Sequence, residues 1–201
     1  MTRSLQLTEL QIDALKEMAN IGAGHAATAL SQLLNTTIKL LAPKAEIIRF
    51  GELHARVAED RAYAVMHVFV RGDVPGHLVV LFDNRDAKEF VRMFLRRVSS
   101  EFQIFDSIVD STLKELGNIV AASYLGAIVQ LTGANMLPSI PTLSYGTLET
   151  LFEGLLPVVA EHEVFFVEST FLDRGMKVSG HLVLVPEAGS LGPLFSAFGV
   201  S

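Results

Sequence analysis

Cysteine and tryptophan are absent from this chain of 201 residues. Without cysteine there can be no disulfide, no iron–sulfur cluster and no thiolate zinc site. No apolar run reaches the roughly 18 to 20 residues that cross a bilayer. The opening "MTRSLQLTELQIDALKE" turns charged within ten residues, unlike a secretory signal. Positive charge is also sparse: 16 Lys and Arg stand against 22 Asp and Glu, for a net charge of −6, and no basic cluster exceeds Arg96-Arg97. Phosphate backbones are held by many cationic contacts, so the composition argues against nucleic acid as a partner. A cytoplasmic protein without membrane insertion is expected.

Half of the residues are hydrophobic, 13 of them Phe, enough for a sizeable core and one domain over 1–201. Thr8-Glu-Leu-Gln11 has the form of a capping box, and apolar residues at helical spacing follow it to about Leu34. Short strand-like runs come next: "TIKLL", "AEIIRF", "AYAVMHVFV" and "GHLVVLF". "DNRDAKEFVRMFLRR" reads as a helix capped by Asp83 or Asn84, with arginines in its last turn. A second long helix is predicted from about Phe105 to Gly133, then a proline-marked segment (Pro138, Pro141) and a helix near 146–156. The strands "EVFFVESTFL" and "MKVSGHLVLVP" and a short helix around 190–198 complete the chain.

The two long helices align with each other at an offset of 98 residues, "LKEMANIGAGHAATAL" on "LKELGNIVAASYLGAI". Lys16, Glu17, Asn20, Ile21, Ala23 and Gln32 recur as Lys114, Glu115, Asn118, Ile119, Ala121 and Gln130, and Pro43 recurs as Pro141. "GHLVVLF" likewise echoes "GHLVLVP". The chain reads as a duplicated α/β (α+β) unit, with repeats of about 8–98 and 105–201. The expected fold is pseudo-twofold, with two long helices packed on a shared β-sheet.

Gly22, Gly24 and Ala27 fit the G-x-G-x-x-A spacing of a dinucleotide-binding turn, but that turn needs a strand before it and a helix starting at it. Helical periodicity runs straight through these residues. Close packing is the better reading: Gly22, Ala23, Gly24, Ala26 and Ala27, with Ala121, Ala122 and Gly126, would let the helices approach the sheet or each other. His77 and His181, at the two GHLV strand starts, read as relics of the repeat or as edge polar groups rather than metal ligands.

Packing accounts less well for repeated polar residues. Glu17 and Asn20 share a helical face at i and i+3, Glu115 and Asn118 reproduce that pair, and Asp13 and Ser111 lie one turn earlier. The bland alternative is that each Asn satisfies a nearby backbone group and each Glu pairs with a surface Lys. An Asn has no acid–base function near neutral pH, but its amide both donates and accepts, as required to hold a water. Phosphoryl transfer suits that role, since positioning and electrostatics carry most of its catalysis. No P-loop, G-x-S-x-G, H-E-x-x-H or clustered carboxylate motif is present, so a phosphorylated substrate would have to bring its own metal.

At these residues the chain resembles the CheC/CheX/FliY family of response-regulator phosphatases. The family motif is Asp or Ser, three residues, Glu, two residues, Asn, twenty-two residues, Pro. Asp13, Glu17, Asn20 and Pro43 fit it, as do Ser111, Glu115, Asn118 and Pro141. Two intact copies place the likeness nearest the CheC-type members, since CheX-type members carry one motif per subunit and FliY-type members have added segments. The resemblance implies hydrolysis of the aspartyl phosphate of the chemotaxis response regulator CheY. Asn20 and Asn118 would orient the attacking water, Glu17 and Glu115 would contact the regulator's lysine, and Asp13, Ser111, Pro43 and Pro141 would support them. No cofactor is implied for this chain, because Mg2+ would belong to the phosphorylated partner. The receptor deamidase CheD is a further implied partner. The competing reading is a non-catalytic binding or adaptor module for CheY or CheD.

Overall fold

The structure is a computed structural model describing residues 8–57, 61–95, 106–155, 163–173, 176–187 and 189–199. Arg96, Arg97 and Phe105, and with them the expected boundary between the repeats, lie outside the described residues.

Helix α1 (Glu9–Leu33) starts at the expected capping box: Thr8 Oγ1 accepts from the Gln11 amide and the Gln11 side chain accepts from the Thr8 amide. It stops at Asn35, whose φ of 47° breaks the helical turn. The chain then forms β1 (Lys39–Arg49), a 3-10 turn (Phe50–Glu52), α2 (Leu53–Arg56), β2 (Tyr63–Gly72), β3 (Gly76–Asp83) and α3 (Asn84–Leu95). Asp83 caps α3 by accepting from the Asp86 amide at 2.7 Å. Helix α4 (Asp106–Thr132) ends at Gly133, held at a φ of 69° that favours glycine. The rest is β4 (Met136–Pro138), β5 (Thr142–Gly146), α5 (Leu148–Leu155), β6 (Glu163–Asp173), β7 (Met176–Pro186) and α6 (Leu191–Ala197).

The strands form one antiparallel sheet ordered β1-β6-β7-β3-β2-β4, with β5 also paired to β2. Three strands therefore cross between the repeats: β1 pairs with β6, and β4 and β5 pair with β2. At the centre β3 pairs with β7, where Leu78 faces Leu184. Alternation sorts the strands' apolar side chains into two cores. On one face Met66, Val68, Val80, Phe82, Phe165 and Leu182 pack under α1 and α4. On the other face Val65, Val79, Leu81, Phe166 and Val183 pack under α2 and α5. Each such side chain contributes about 1.5–3 kcal/mol when fully buried.

Three sequence readings change. "TIKLL" and "AEIIRF" are not separate strands but one strand, β1, with a register shift between Leu41 and Lys44 around Pro43. The proline-marked segment is itself two strands, β4 ending on Pro138 and β5 starting after Pro141, on an edge ladder that can spare a donor. His77 and His181 stand on the two central strands, not at an edge. His77 Nδ1 lies 2.8 Å from His67 Nε2, and His181 stacks on Phe166.

The helix glycines divide. A Cβ on Gly22 would come within 2.6 Å of the Tyr124 ring, so α1 and α4 touch there, and one on Gly117 would collide with the Met66 side chain of β2. Gly24 and Gly126 have nothing within 4 Å, and Ala122 is exposed. Close packing therefore explains Gly22 and not these three.

Candidate functional site

Asp13, Glu17 and Asn20 project from the side of α1 opposite its buried residues Leu15, Met18, Ala19 and Gly22, and all three are exposed. Spacings of four and seven residues at 3.6 per turn keep them on one narrow stripe. On α4, Ser111, Glu115 and Asn118 are exposed in the same way, opposite the buried Leu113, Leu116, Gly117 and Val120. Because α1 and α4 pack side by side on one face of the sheet, the two stripes belong to one helical layer.

Among the described residues Glu17, Asn20, Glu115 and Asn118 have no hydrogen-bond or ion-pair partner. The bland alternative required such partners, and its lysines are engaged otherwise or not at all: Lys16 lies 3.7 Å from Asp13 rather than on Glu17. An exposed Asn in mid-helix gains nothing locally from its amide. Ser111 instead donates to the carbonyl of Ser107, within its own helix. The stripes thus present a carboxylate and an amide one turn apart, both hydrated and free to meet a partner.

Pro43 and Pro141 are half-buried, and each accompanies a break in the ladder of an edge strand. The residues opposite show the break to be the same in both repeats. Leu41 to Lys44 is three steps of chain facing two of β6, and Pro138 to Thr142 is four steps facing three of β2. One residue is extruded in each case, a β-bulge of the kind that re-aims a side chain.

One contact of the site was not anticipated. Tyr145 of β5 donates its hydroxyl to Asp110, pinning the start of α4 to the sheet beside Ser111. The signal was available in the repeat, where the same two positions hold Ile12 and Ile47 in the first half. The second half has a polar tie at positions where the first half has two apolar residues.

The stripe residues are exposed and line neither of the cavities described among these residues. A polar cavity of about 520 Å³ sits elsewhere, at the start of α3, lined by Arg61, Asp83, Arg85, Asp86, Lys177 and Ser179. Burial raises the Asp86 carboxyl above the usual range there, with Asp83 adding to the effect. No group of three His, Cys, Asp or Glu among the described residues is placed to hold a metal ion. No helix among them is long and apolar enough to cross a membrane.

Fold and stripes together define a protein with two matched polar helix faces on one shared sheet, suited to a macromolecular partner. The signature of the CheC-like family matches residues 10–47 and 108–145, the two helix-plus-strand units that carry these faces. The chain is 32% identical to the CheY-P phosphatase CheC of Bacillus subtilis over 97% of both chains. It belongs to the CheC-like family. Its fold is also that of Thermotoga maritima FliY, with a TM-score of 0.78 at 21% identity, covering 97% of this chain and 98% of that one. The FliM middle domain from H. pylori shares it too, with a TM-score of 0.67 at 12% identity over 95% and 99% of the two chains.

Proposed function

We propose that this protein is a phosphatase that hydrolyses the aspartyl phosphate of a CheY-type response regulator in the cytoplasm. The observation that carries this reading is the pair of exposed, unpartnered Glu/Asn faces, repeated at the same spacing on two helices. The name of the Bacillus subtilis relative supports the substrate class.

Each Asn amide accepts a hydrogen bond from a water and holds it in line with the phosphorus of the bound regulator. Water attacks, the bond between phosphorus and the aspartyl oxygen breaks, and inorganic phosphate leaves beside a free carboxylate. Glu17 and Glu115 hold the regulator by a cationic side chain at its phosphorylation site. Mg2+ held by the regulator would offset charge on the phosphoryl oxygens. Asp13 and Ser111 flank the faces one turn earlier, and Pro43 and Pro141 shape the strands beside them. CheD is a second partner on the family resemblance alone, and coprecipitation tests it.

Inorganic phosphate release from the phosphorylated regulator is the deciding assay, with wild type, Asn20→Ala, Asn118→Ala and the double variant. Wild type is expected to turn over many regulators per molecule, and the double variant to bind but lose on the order of 10²-fold or more in rate, the scale of a misplaced reactant. The faces would also serve an adaptor that only binds. Tight binding without multiple turnover would replace the phosphatase reading with that one.

A further inference from the structure

Every exposed large apolar side chain among the described residues falls within 10–47 or 108–145, which together make up well under half of the chain. Among the described residues, exposed apolar area thus lies on the two helix-plus-strand units that carry the polar faces. Ile140 is the extreme case at 89% exposed, with Leu137 beside it at 57%.

The bulge ahead of Pro141 explains the exposure. Pro138 still faces Val70, Ser139 donates its amide to the Phe69 carbonyl, and pairing resumes with Thr142 opposite His67. Ile140 and Pro141 are left to share the one position opposite Val68, and Ile140 is the exposed member of the two. Its position along α4 follows from the tie between Tyr145 and Asp110. The five residues from Tyr145 back to Ile140 advance the ladder by four positions because of the bulge, and four steps at about 3.3 Å equal roughly nine helix residues at about 1.5 Å, which sets Ile140 level with the residue after Asn118. The equivalent position in the first repeat is Ala42. By sequence alone, the counterpart of this isoleucine in the first repeat is a residue with three fewer side-chain carbons.

We propose that Ile140 is an apolar docking contact for the phosphorylated receiver domain at the α4 face, and that it makes this face the tighter of the two. The inference rests on the phosphatase reading for its partner. A convex face built from one Glu and one Asn has little area to exclude water, and interfaces draw most of their affinity from a few apolar anchors. The polar pair does the chemistry; the extruded isoleucine holds the partner against it. The motif proline fixes the bulge and hence this division of labour.

Ile140→Ala in an Asn20→Ala background, where only the α4 face turns over, is the test. KM for the phosphorylated regulator is expected to rise on the order of tenfold, as for loss of an interface anchor, with kcat within twofold. In an Asn118→Ala background the same substitution leaves KM unchanged. Titration with the receiver held active by beryllofluoride reads docking without turnover and is expected to weaken by the same factor at the α4 face. An unchanged KM and titration overturns the proposal. So does a change in sedimentation with receiver binding intact, which would make Ile140 a contact between copies of this chain. Absence of phosphate release by wild type would sink the phosphatase reading alone, since the titration still scores the docking contact.

Discussion

Gly22 and Gly24 stand two residues apart in α1, and the structure assigns opposite signs to the same substitution at the two sites. Both are helix-interior glycines, so alanine at either gains about 0.5–1 kcal/mol of helix propensity. At Gly24 nothing lies within 4 Å of the new Cβ, and that gain stands alone. At Gly22 the Cβ meets Tyr124 Cδ1 at 2.6 Å, Cγ at 2.9 Å and Cα at 3.0 Å. Tyr124 cannot swing aside cheaply, since it is buried and its hydroxyl is hydrogen-bonded to Ser169 at 2.8 Å. With the Tyr124 backbone itself in the way, the cost falls in the upper part of the usual range of about 1–3 kcal/mol for overpacking, which leaves Gly22→Ala with a net loss of about 1–2 kcal/mol. In a chain of this length each kcal/mol moves Tm by about 2–4 °C. Calorimetry should therefore show Gly24→Ala melting about 1–4 °C higher than wild type and Gly22→Ala about 2–8 °C lower. Equal shifts of the same sign would refute a tight seam between α1 and α4 at Gly22.

The histidines predict a pH effect on stability. Burial holds His67, His77 and His181 below their ordinary value of 6.5, and the charge of His77 adds to the lowering at His67. The folded state thus binds fewer protons than the unfolded one: stability is fully present above 6.5 and falls as pH drops below it toward the lowered values. Urea midpoints at about pH 5 and pH 7.5 should differ in that direction, and by less in His181→Leu. The Tyr124 phenol, pushed up to about 12 by burial, stays protonated and donor-competent throughout this range. Tyr124→Phe leaves the buried Ser169 hydroxyl without that partner and should cost about 1–3 kcal/mol by urea unfolding, part of it restored by adding Ser169→Ala.

The long helices and the polar stripes were legible because their signals are local. A capping box, a φ-positive stop and a 3.6-residue period all sit within one stretch of chain, and a repeat at constant offset exposes residues that packing does not require. Strand exchange between the repeats was not legible, since pairing of β1 with β6 leaves no mark on either strand alone. The prolines hid β4 and β5 for a physical reason: they break alternation where an edge strand can tolerate a bulge, so that stretch read only as a proline-marked segment. Gly24 misled because helix–helix packing and plain surface exposure place the same small residue in the sequence. Only the third dimension separates it from Gly22.

The exchange of edge strands ties the fate of one polar face to the other. The first repeat cannot complete its sheet without β4 and β5, nor the second without β1, so local melting of either half strips hydrogen bonds from both. Pairings that span more than a hundred residues must close before either half is secure, as when Leu40 meets Phe171, which favours late, concerted folding. The protein is thereby protected against a half-working state: a nascent chain that has emerged only as far as α3 presents Glu17 and Asn20 on a helix whose supporting sheet still lacks β6 and β7, the strands that join β1 to β3.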